Sequence, residues 1–345
     1  MLREGTPSRV HYIELYLDRE VQEAIAREYH LWDDIAASDE LATYWQSQIV
    51  LQRFLGYDYV TCGLEEQEWV FRKEVAADTA ALPRMGGRSF MSQTEGPITC
   101  RAEFDAYPWP DPRKATSRAL EYLERHLPDD MCVLYGQVGH FMEHLTWLMG
   151  YETLCYALTD DRDLVRDISD RLIDYYVVCV ERLLEFERVR IVWGSDDMGF
   201  RSGTLISPAD LREFVLPGHA RLAEMCHAAG RPYILHSCGE LSAIMTDLLD
   251  DVRIDGKHSY EDTILPPEEA KRLYGDRTAI LGGIDVGFLC RADEAAVRAR
   301  VRTTLDACMP GGGFLLGTGN SVANYIPLPN YLTMLDEGRQ WRPSA

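Results

Sequence analysis

The chain has 345 residues, 46% of them hydrophobic and 26% charged, and its 56 acidic against 35 basic side chains give a net charge of −21. The composition is that of a globular protein with ample core. So acidic a surface repels phosphate backbones and anionic lipid headgroups, which argues against nucleic-acid or membrane-surface partners and leaves a small-molecule substrate as the expected ligand. The nine cysteines are scattered, odd in number and without a CxxC spacing, a pattern of reduced thiols in a cytoplasm and not of a disulfide framework. The first residues carry no apolar run of signal-peptide length. The most apolar helical stretch, residues 172–193, is cut by Asp174, Glu181, Arg182 and Glu185, too many charges to span a bilayer. A cytoplasmic protein is expected.

In chain order, residues 41–55 have helical periodicity and 57–62 read as the first clear strand. Residues 71–111 depart from the pattern, with Pro108 and Pro110 around Trp109, and read as an excursion over one face of the fold. From residue 131 onward, apolar runs at 131–135, 189–193, 232–236, 253–258, 278–283 and 313–316 read as strands. Amphipathic stretches at 163–187, 208–229, 240–249, 267–274 and 293–308 lie between them. Strand–helix alternation of this kind predicts a parallel sheet with right-handed crossovers. With an eighth strand sought within 10–15 or 97–101, the pattern predicts an α/β protein: a closed (β/α)8 TIM barrel. It would be one domain over residues 1–345, with a core of 40–340 and an amino-terminal extension of 1–40.

Chemically loaded residues fall where strands end, and in such a barrel the strand carboxyl ends converge on one mouth. They are Asp196 and Asp197, His236 and Cys238, Lys257 and His258, Asp285, and Thr318 to Asn320. Residues two apart on a strand share a face, so His236 and Cys238 project together as half of a soft-metal site, with zinc the first candidate. The plain alternative is a core histidine beside a buried cysteine. Neighbouring strand-end residues point oppositely, so one of Asp196 and Asp197 faces the mouth; Asp197 is favoured, as base or anchor. Asp285 and His258 are further catalytic candidates, against a helix cap and a loop histidine. Arg201, Tyr135, Thr318 and Asn320 are candidate substrate contacts, Arg201 through bidentate pairing with a carboxylate.

In this order, the segments Trp193-Gly194-Ser195-Asp196-Asp197-Met198-Gly199, Leu205-Ile206-Ser207-Pro208, His236-Ser237-Cys238-Gly239, Leu281-Gly282-Gly283-Ile284-Asp285 and Gly311 to Asn320 resemble the uroporphyrinogen decarboxylase superfamily. The resemblance implies a (β/α)8 barrel and one of two chemistries. The cofactor-free decarboxylases use an Asp after the first strand, an amino-terminal arginine motif, a Tyr after the second strand and a late His. Here the first strand ends Val60-Thr61-Cys62-Gly63, Thr146 stands at the Tyr position and Thr318 at the His. The cobalamin-dependent methyltransferases carry zinc on a His-x-Cys pair and a distant Cys. His236 and Cys238 match the pair, but Thr318 again takes the last place, so a third donor must come from Asp197, Glu240, Asp285 or Cys290. The resemblance thus implies an enzyme of the methyltransferase branch, moving a methyl group between a small methylated substrate, a thiol or a corrinoid. No cobalamin-binding segment is seen, so the corrinoid would arrive on a partner protein; a homodimer would be ordinary. The alternatives are a metal-free decarboxylase of a smaller acid working through Asp197 and Arg201, and a non-catalytic barrel that binds a ligand or corrinoid protein.

Overall fold

A computed structural model describes residues 5–35, 39–84 and 87–343; the first four residues of the stretch read for a leader lie outside it. Seven strands form one parallel sheet: β1 (Tyr59–Thr61), β2 (Cys132–Val138), β3 (Val189–Ser195), β4 (Tyr233–His236), β5 (Gly256–His258), β6 (Ala279–Leu281) and β7 (Phe314–Leu315). Their spatial order is their chain order, so every crossover moves one strand along in the same sense. All seven expected strands are present.

Of the two segments considered for the eighth strand, 97–101 leads instead into the helix Arg101–Ala106. The other runs beside β7. Tyr12 bridges Leu316 in parallel, with Ile13 N–H to Leu316 O and Leu316 N–H to His11 O both at 2.9 Å. The chain then bridges once more, Leu17 to Val322, before entering the helix Arg19–Glu28. No backbone ladder joins this segment to β1 among the described residues; side chains link them, the Tyr59 hydroxyl 2.9 Å from the Glu14 amide and, just before β1, the Asp58 carboxylate 2.8 Å from His11 Nδ1. The expectation of a closed eight-stranded barrel is therefore corrected to a curled seven-stranded sheet with an eighth segment held by isolated bridges. Val10, Tyr12, Ile13 and Leu17 are buried in the same core as β6 and β7, so part of the expected extension is built into the sheet's free side.

Helix boundaries follow local chemistry. Asp39 caps Glu40–Leu55 by accepting from Ala42 N at 2.8 Å, and Gly56, at φ 94°, ends it in the left-handed conformation that glycine adopts without strain. The long expected helix at 208–229 divides at Val215 into Pro208–Phe214 and Leu216–Ala228, because Pro217 has no amide for the preceding turn and belongs in a first turn. The one expected at 240–249 reduces to Met245–Asp247 running into a single π-turn, Leu248–Val252. The excursion contains an antiparallel hairpin, Lys73–Ala76 with Arg88–Met91. The sheet is buried on both faces, with Tyr233, Leu235, Ala279, Ile280 and Leu281 all fully inaccessible, as a parallel sheet between helices requires. Among the described residues no helix is long and apolar enough to cross a membrane.

Candidate metal centre at the strand ends

The sheet register aligns the chemistry. Ser195 at the end of β3 is level with His236 at the end of β4, and His236 with His258 at the end of β5. The two residues that follow Ser195 part company. Asp196 is fully buried and turns to the helix Phe141–Met149, accepting from the amides of Met142 and Glu143 at 3.0 Å each and meeting His219 Nε2 at 2.9 Å. It fills the cap that the helix's own flanking residue, His140, leaves open. Asp197 turns the other way, into the mouth, with its side chain 42% exposed. Its Oδ1 lies 3.5 Å from His236 Nε2 and accepts from the Cys238 amide at 2.9 Å.

Cys238 completes the group. Its sulfur is 3.5 Å from His236 Nε2 and receives an Asn320 Nδ2–H at 3.3 Å and the Ser259 hydroxyl at 3.7 Å. Asn320 is oriented by Ser321 N–H, which donates to its Oδ1 at 2.8 Å and leaves the amide nitrogen facing the sulfur. Burial and the nearby Asp197 carboxylate push the Cys238 thiol far up, so the uncompensated site holds a neutral thiol. Burial also opposes ionisation of Asp197, but the His236 ring and the Cys238 amide outweigh it and hold the carboxyl well below the usual range. Without a cation the site thus holds an ionised carboxylate beside a neutral thiol, and that thiol would have to lose its proton to bind a metal.

The donor atoms of Asp197, His236 and Cys238 all lie within 4.8 Å of one another, the only such group among the described residues. Tetrahedral zinc, with bonds of about 2.0–2.3 Å, needs donors about 3.3–3.8 Å apart. The two measured edges, both 3.5 Å, fall in that interval. An imidazole, a thiol and a carboxylate are also donors that zinc accepts together, with a fourth position left open. The residues present fit the metal.

Of the other residues singled out in the sequence, Thr318 is fully buried and gives its donors to Glu14. Its amide lies 2.8 Å and its hydroxyl 2.6 Å from the carboxyl oxygens of Glu14, and the hydroxyl is 2.9 Å from Asn320 O. Burial raises Glu14 to about 8, against the pull of those two Thr318 donors. Asp285 is spent on a cap, accepting from Phe288 N at 2.7 Å at the start of Val286–Arg291. Cys290 lies within that helix, its sulfur 3.9 Å from the Tyr325 carbonyl. Tyr135 is buried, its ring against Gly63 where a Cβ would come within 2.5 Å. Arg201 is exposed in the turn between Gly199–Phe200 and Gly203–Thr204. His258 meets His236, Nδ1 to Nδ1 at 2.7 Å.

Of the supporting residues, Glu14 escaped the sequence reading, while Lys257 was placed at a strand end without a role of its own. Glu14 sits in an apolar run, and its charge there was the available signal. Lys257 is buried with its ammonium on three carbonyls, Ser237 at 3.1 Å, His258 at 3.3 Å and Ser259 at 2.5 Å, and over the Tyr260 ring at 4.6 Å. Burial lowers it to about 8, against the pull of Cys238 and Asp197. This internal cation fastens the turns after β4 and β5 to each other, and with them Ser259, whose φ of 84° is strained for a residue with a side chain.

Residues 85–341 match the family model described as uroporphyrinogen decarboxylase (URO-D). The chain belongs to the uroporphyrinogen decarboxylase family. Within reach of it are proteins of both chemistries. A methylated-thiol–coenzyme M methyltransferase of Methanosarcina mazei is 25% identical over 285 residues, 79% of this chain and 71% of the relative. A uroporphyrinogen decarboxylase of Anaeromyxobacter dehalogenans is 26% identical over 253 residues, 70% of this chain and 68% of that one. Among solved structures, a methyltransferase from Methanosarcina mazei superposes with a TM-score of 0.65 at 15% identity, covering 97% of this chain and 94% of its own, a likeness of fold. The chain is thus a URO-D family α/β protein with enzymes of methyl transfer and of decarboxylation among its relatives.

Proposed function

We propose that this URO-D family protein transfers a methyl group, and that Asp197, His236 and Cys238 hold a zinc ion at the barrel mouth, with Asp197 as the third donor that the family pattern lacks at Thr318. The observation that carries the reading is the mutual spacing of the three donors at the end of β3 and β4. The chemistry such an ion supplies is to lower the pKa of a thiol, so that it reacts as the thiolate near neutral pH. The chain's own residues set the rest. Asn320 and Ser259 place hydrogen-bond donors on the Cys238 sulfur and moderate its charge. Lys257 fixes the two turns that carry the donors and their neighbours. Asp197 keeps part of its side chain open to solvent.

The substrates of this reading are a small methylated compound and a thiol, with any corrinoid brought by a partner protein. A single-domain cytoplasmic enzyme, with no nucleic-acid or membrane role, accords with the strongly acidic composition. The test is methyl transfer from a methylated thiol or methylcobamide to a free thiol, followed by mass spectrometry. Activity lost on chelation and restored by zinc is the expected result; transfer that is indifferent to chelators would overturn the zinc assignment. The decarboxylase relative supports one other reading, in which Asp197 and Arg201 release carbon dioxide from a small acid without metal. Carbon dioxide release that survives chelation, with no methyl transfer, would favour it.

A further inference from the structure

We propose that a cavity at the amino ends of the strands is a second ligand site, which takes a small carboxylic acid with its carboxylate on Arg190 and its apolar body on Cys132 and Ile191. The inference stands apart from the zinc reading, since every residue it uses lies at the end of the sheet away from the metal centre. The cavity measures about 950 Å³. Small-molecule sites span about 300–1,000 Å³, whereas the inside of a barrel-like sheet is ordinarily packed solid. Its walls are the segment from Pro7 to Tyr12, the beginnings of β1, β2, β3 and β7, and the residues that lead into β4 and β5. Cys132 and Ile191 line it half-buried, while the residues two further along the same strands, Leu134 and Trp193, are each 1% exposed. Residues two apart share a face, so the cavity opens onto the first layer of a sheet face whose next layer is closed.

Arg190 reaches this layer because the sheet register slips. Val133 on β2 pairs with Val189 and Leu134 with Ile191, so Arg190 is an extra residue in β3. Regular alternation would send Arg190 and Ile191 to opposite faces, yet both line the cavity. A bulge has this effect: it re-aims one side chain, and bulges gather at barrel rims and beside sites. The Cys132 thiol registers the result. Burial and the Asp58 carboxylate push it up to about 11, and Arg190 is close enough to oppose them.

The other charges of the wall are mostly spent on one another. Arg9 Nη2 lies 2.9 Å from both oxygens of Asp58, and Arg188 Nη2 lies 2.7 Å from Asp129 Oδ1. Asp58 also meets His11 Nδ1 at 2.8 Å, Asp130 takes Arg53, and Asp255 takes His227 Nε2 at 2.7 Å and the Tyr233 amide at 2.9 Å. Arg190 makes no hydrogen bond and no ion pair among the described residues, although the chain carries 56 acidic side chains to 35 basic ones. A guanidinium with its fork free, set beside apolar side chains, matches a carboxylate on an apolar body, which it would hold bidentately. Glu187, the wall's other unpaired charge, would call for an amine instead. It is exposed in the turn before β3, without the bulge that brings Arg190 beside Ile191.

The experiment is methyl NMR of the full chain, labelled at the isoleucine δ1 methyls, during titration with hexanoate, hexan-1-ol and hexylamine at neutral pH. Hexanoate is expected to shift the Ile191 methyl saturably, with an affinity about tenfold or more above that of the alcohol or the amine. Arg190→Gln is expected to lose that advantage, while Asp197→Asn, at the opposite end of the strands, binds hexanoate as wild type does. A preference for hexylamine would overturn the proposal, as would the absence of a saturable hexanoate shift at Ile191. Equal hexanoate affinity in a folded Arg190→Gln would overturn it too, and so would loss of that affinity in Asp197→Asn. If Arg190→Gln does not fold, the order of the three probes on wild type decides. None of this binding involves a metal, so a failure here leaves the zinc reading standing, and the reverse holds as well.

Discussion

At Thr318, the residue where the superfamily pattern is broken, the side chain belongs to a buried carboxyl. Glu14 is 2% exposed and raised to about 8, chiefly by burial, so it is largely neutral in the folded protein below that pH. A carboxyl at its ordinary 4.5 in the unfolded chain releases its proton first as pH rises. Between about 4.5 and about 8 the native state therefore binds more protons than the unfolded state, and stability falls across that window. Glu14→Gln keeps the shape without the proton. Chemical denaturation from pH 5 to pH 8 is expected to show wild type losing up to a few kcal/mol relative to this variant, since each tenfold difference in proton affinity between the two states is worth about 1.4 kcal/mol. Parallel pH profiles for the two proteins would contradict that. The sequence reading set His236 and Cys238 side by side from strand period; β4 in fact ends at His236, and the turn that follows brings the Cys238 sulfur to 3.5 Å from Nε2. The reading could not place Glu14 beside Thr318, since the two are 304 positions apart and meet only through folding.

At the scale of elements, the ends of β3, β4 and β5 are the scaffold, and the helix Phe141–Met149 is joined to it by Asp196. Asp196→Ala would strand the Met142 and Glu143 amides and His219 in a dry interior. A destabilisation of about 3–5 kcal/mol by denaturant unfolding is expected, well above the ~1 kcal/mol of an exposed cap. A loss below ~1 kcal/mol would mean that water or another group takes over the cap. The turn after Cys238 depends on Gly239, at φ 83°, where a Cβ would stand 2.4 Å from the Gly199 carbonyl carbon. Gly239→Ala is expected to displace Cys238 and weaken zinc binding while Gly230→Ala, at φ 67° with open space around it, costs stability only. Strand positions were legible because seven apolar runs alternate with helices. The break at Val215 is signalled by Pro217, but the apolar spacing continues across it and reads as one helix. The collapse of 240–249 into a π-turn carries no local signal of comparable strength.

For the whole molecule, the alternation of strands and helices was enough to give the parallel sheet and the end of it that carries the site. Closure was less legible. The eighth segment, 10–17, contributes single bridges to Leu316 and Val322, and no repeating pattern of two or of three and four residues marks it. The candidate site was legible to the extent that its chemistry is local. The His-x-Cys pair and the split between Asp196 and Asp197 are local to the ends of β4 and β3, while the assignment of Asp285 to a cap and of Thr318 to Glu14 depends on tertiary neighbours. The same distinction separates the donors from what supports them: Lys257, Asn320 and His258 act through groups remote in sequence.

The zinc content of purified protein, measured by plasma mass spectrometry for wild type, Asp197→Asn and the double variant His236→Ala/Cys238→Ser, tests the central claim most directly. About one zinc per chain in wild type, much less after dialysis in Asp197→Asn and none in the double variant is the predicted result. Equal, negligible zinc in all three would contradict it.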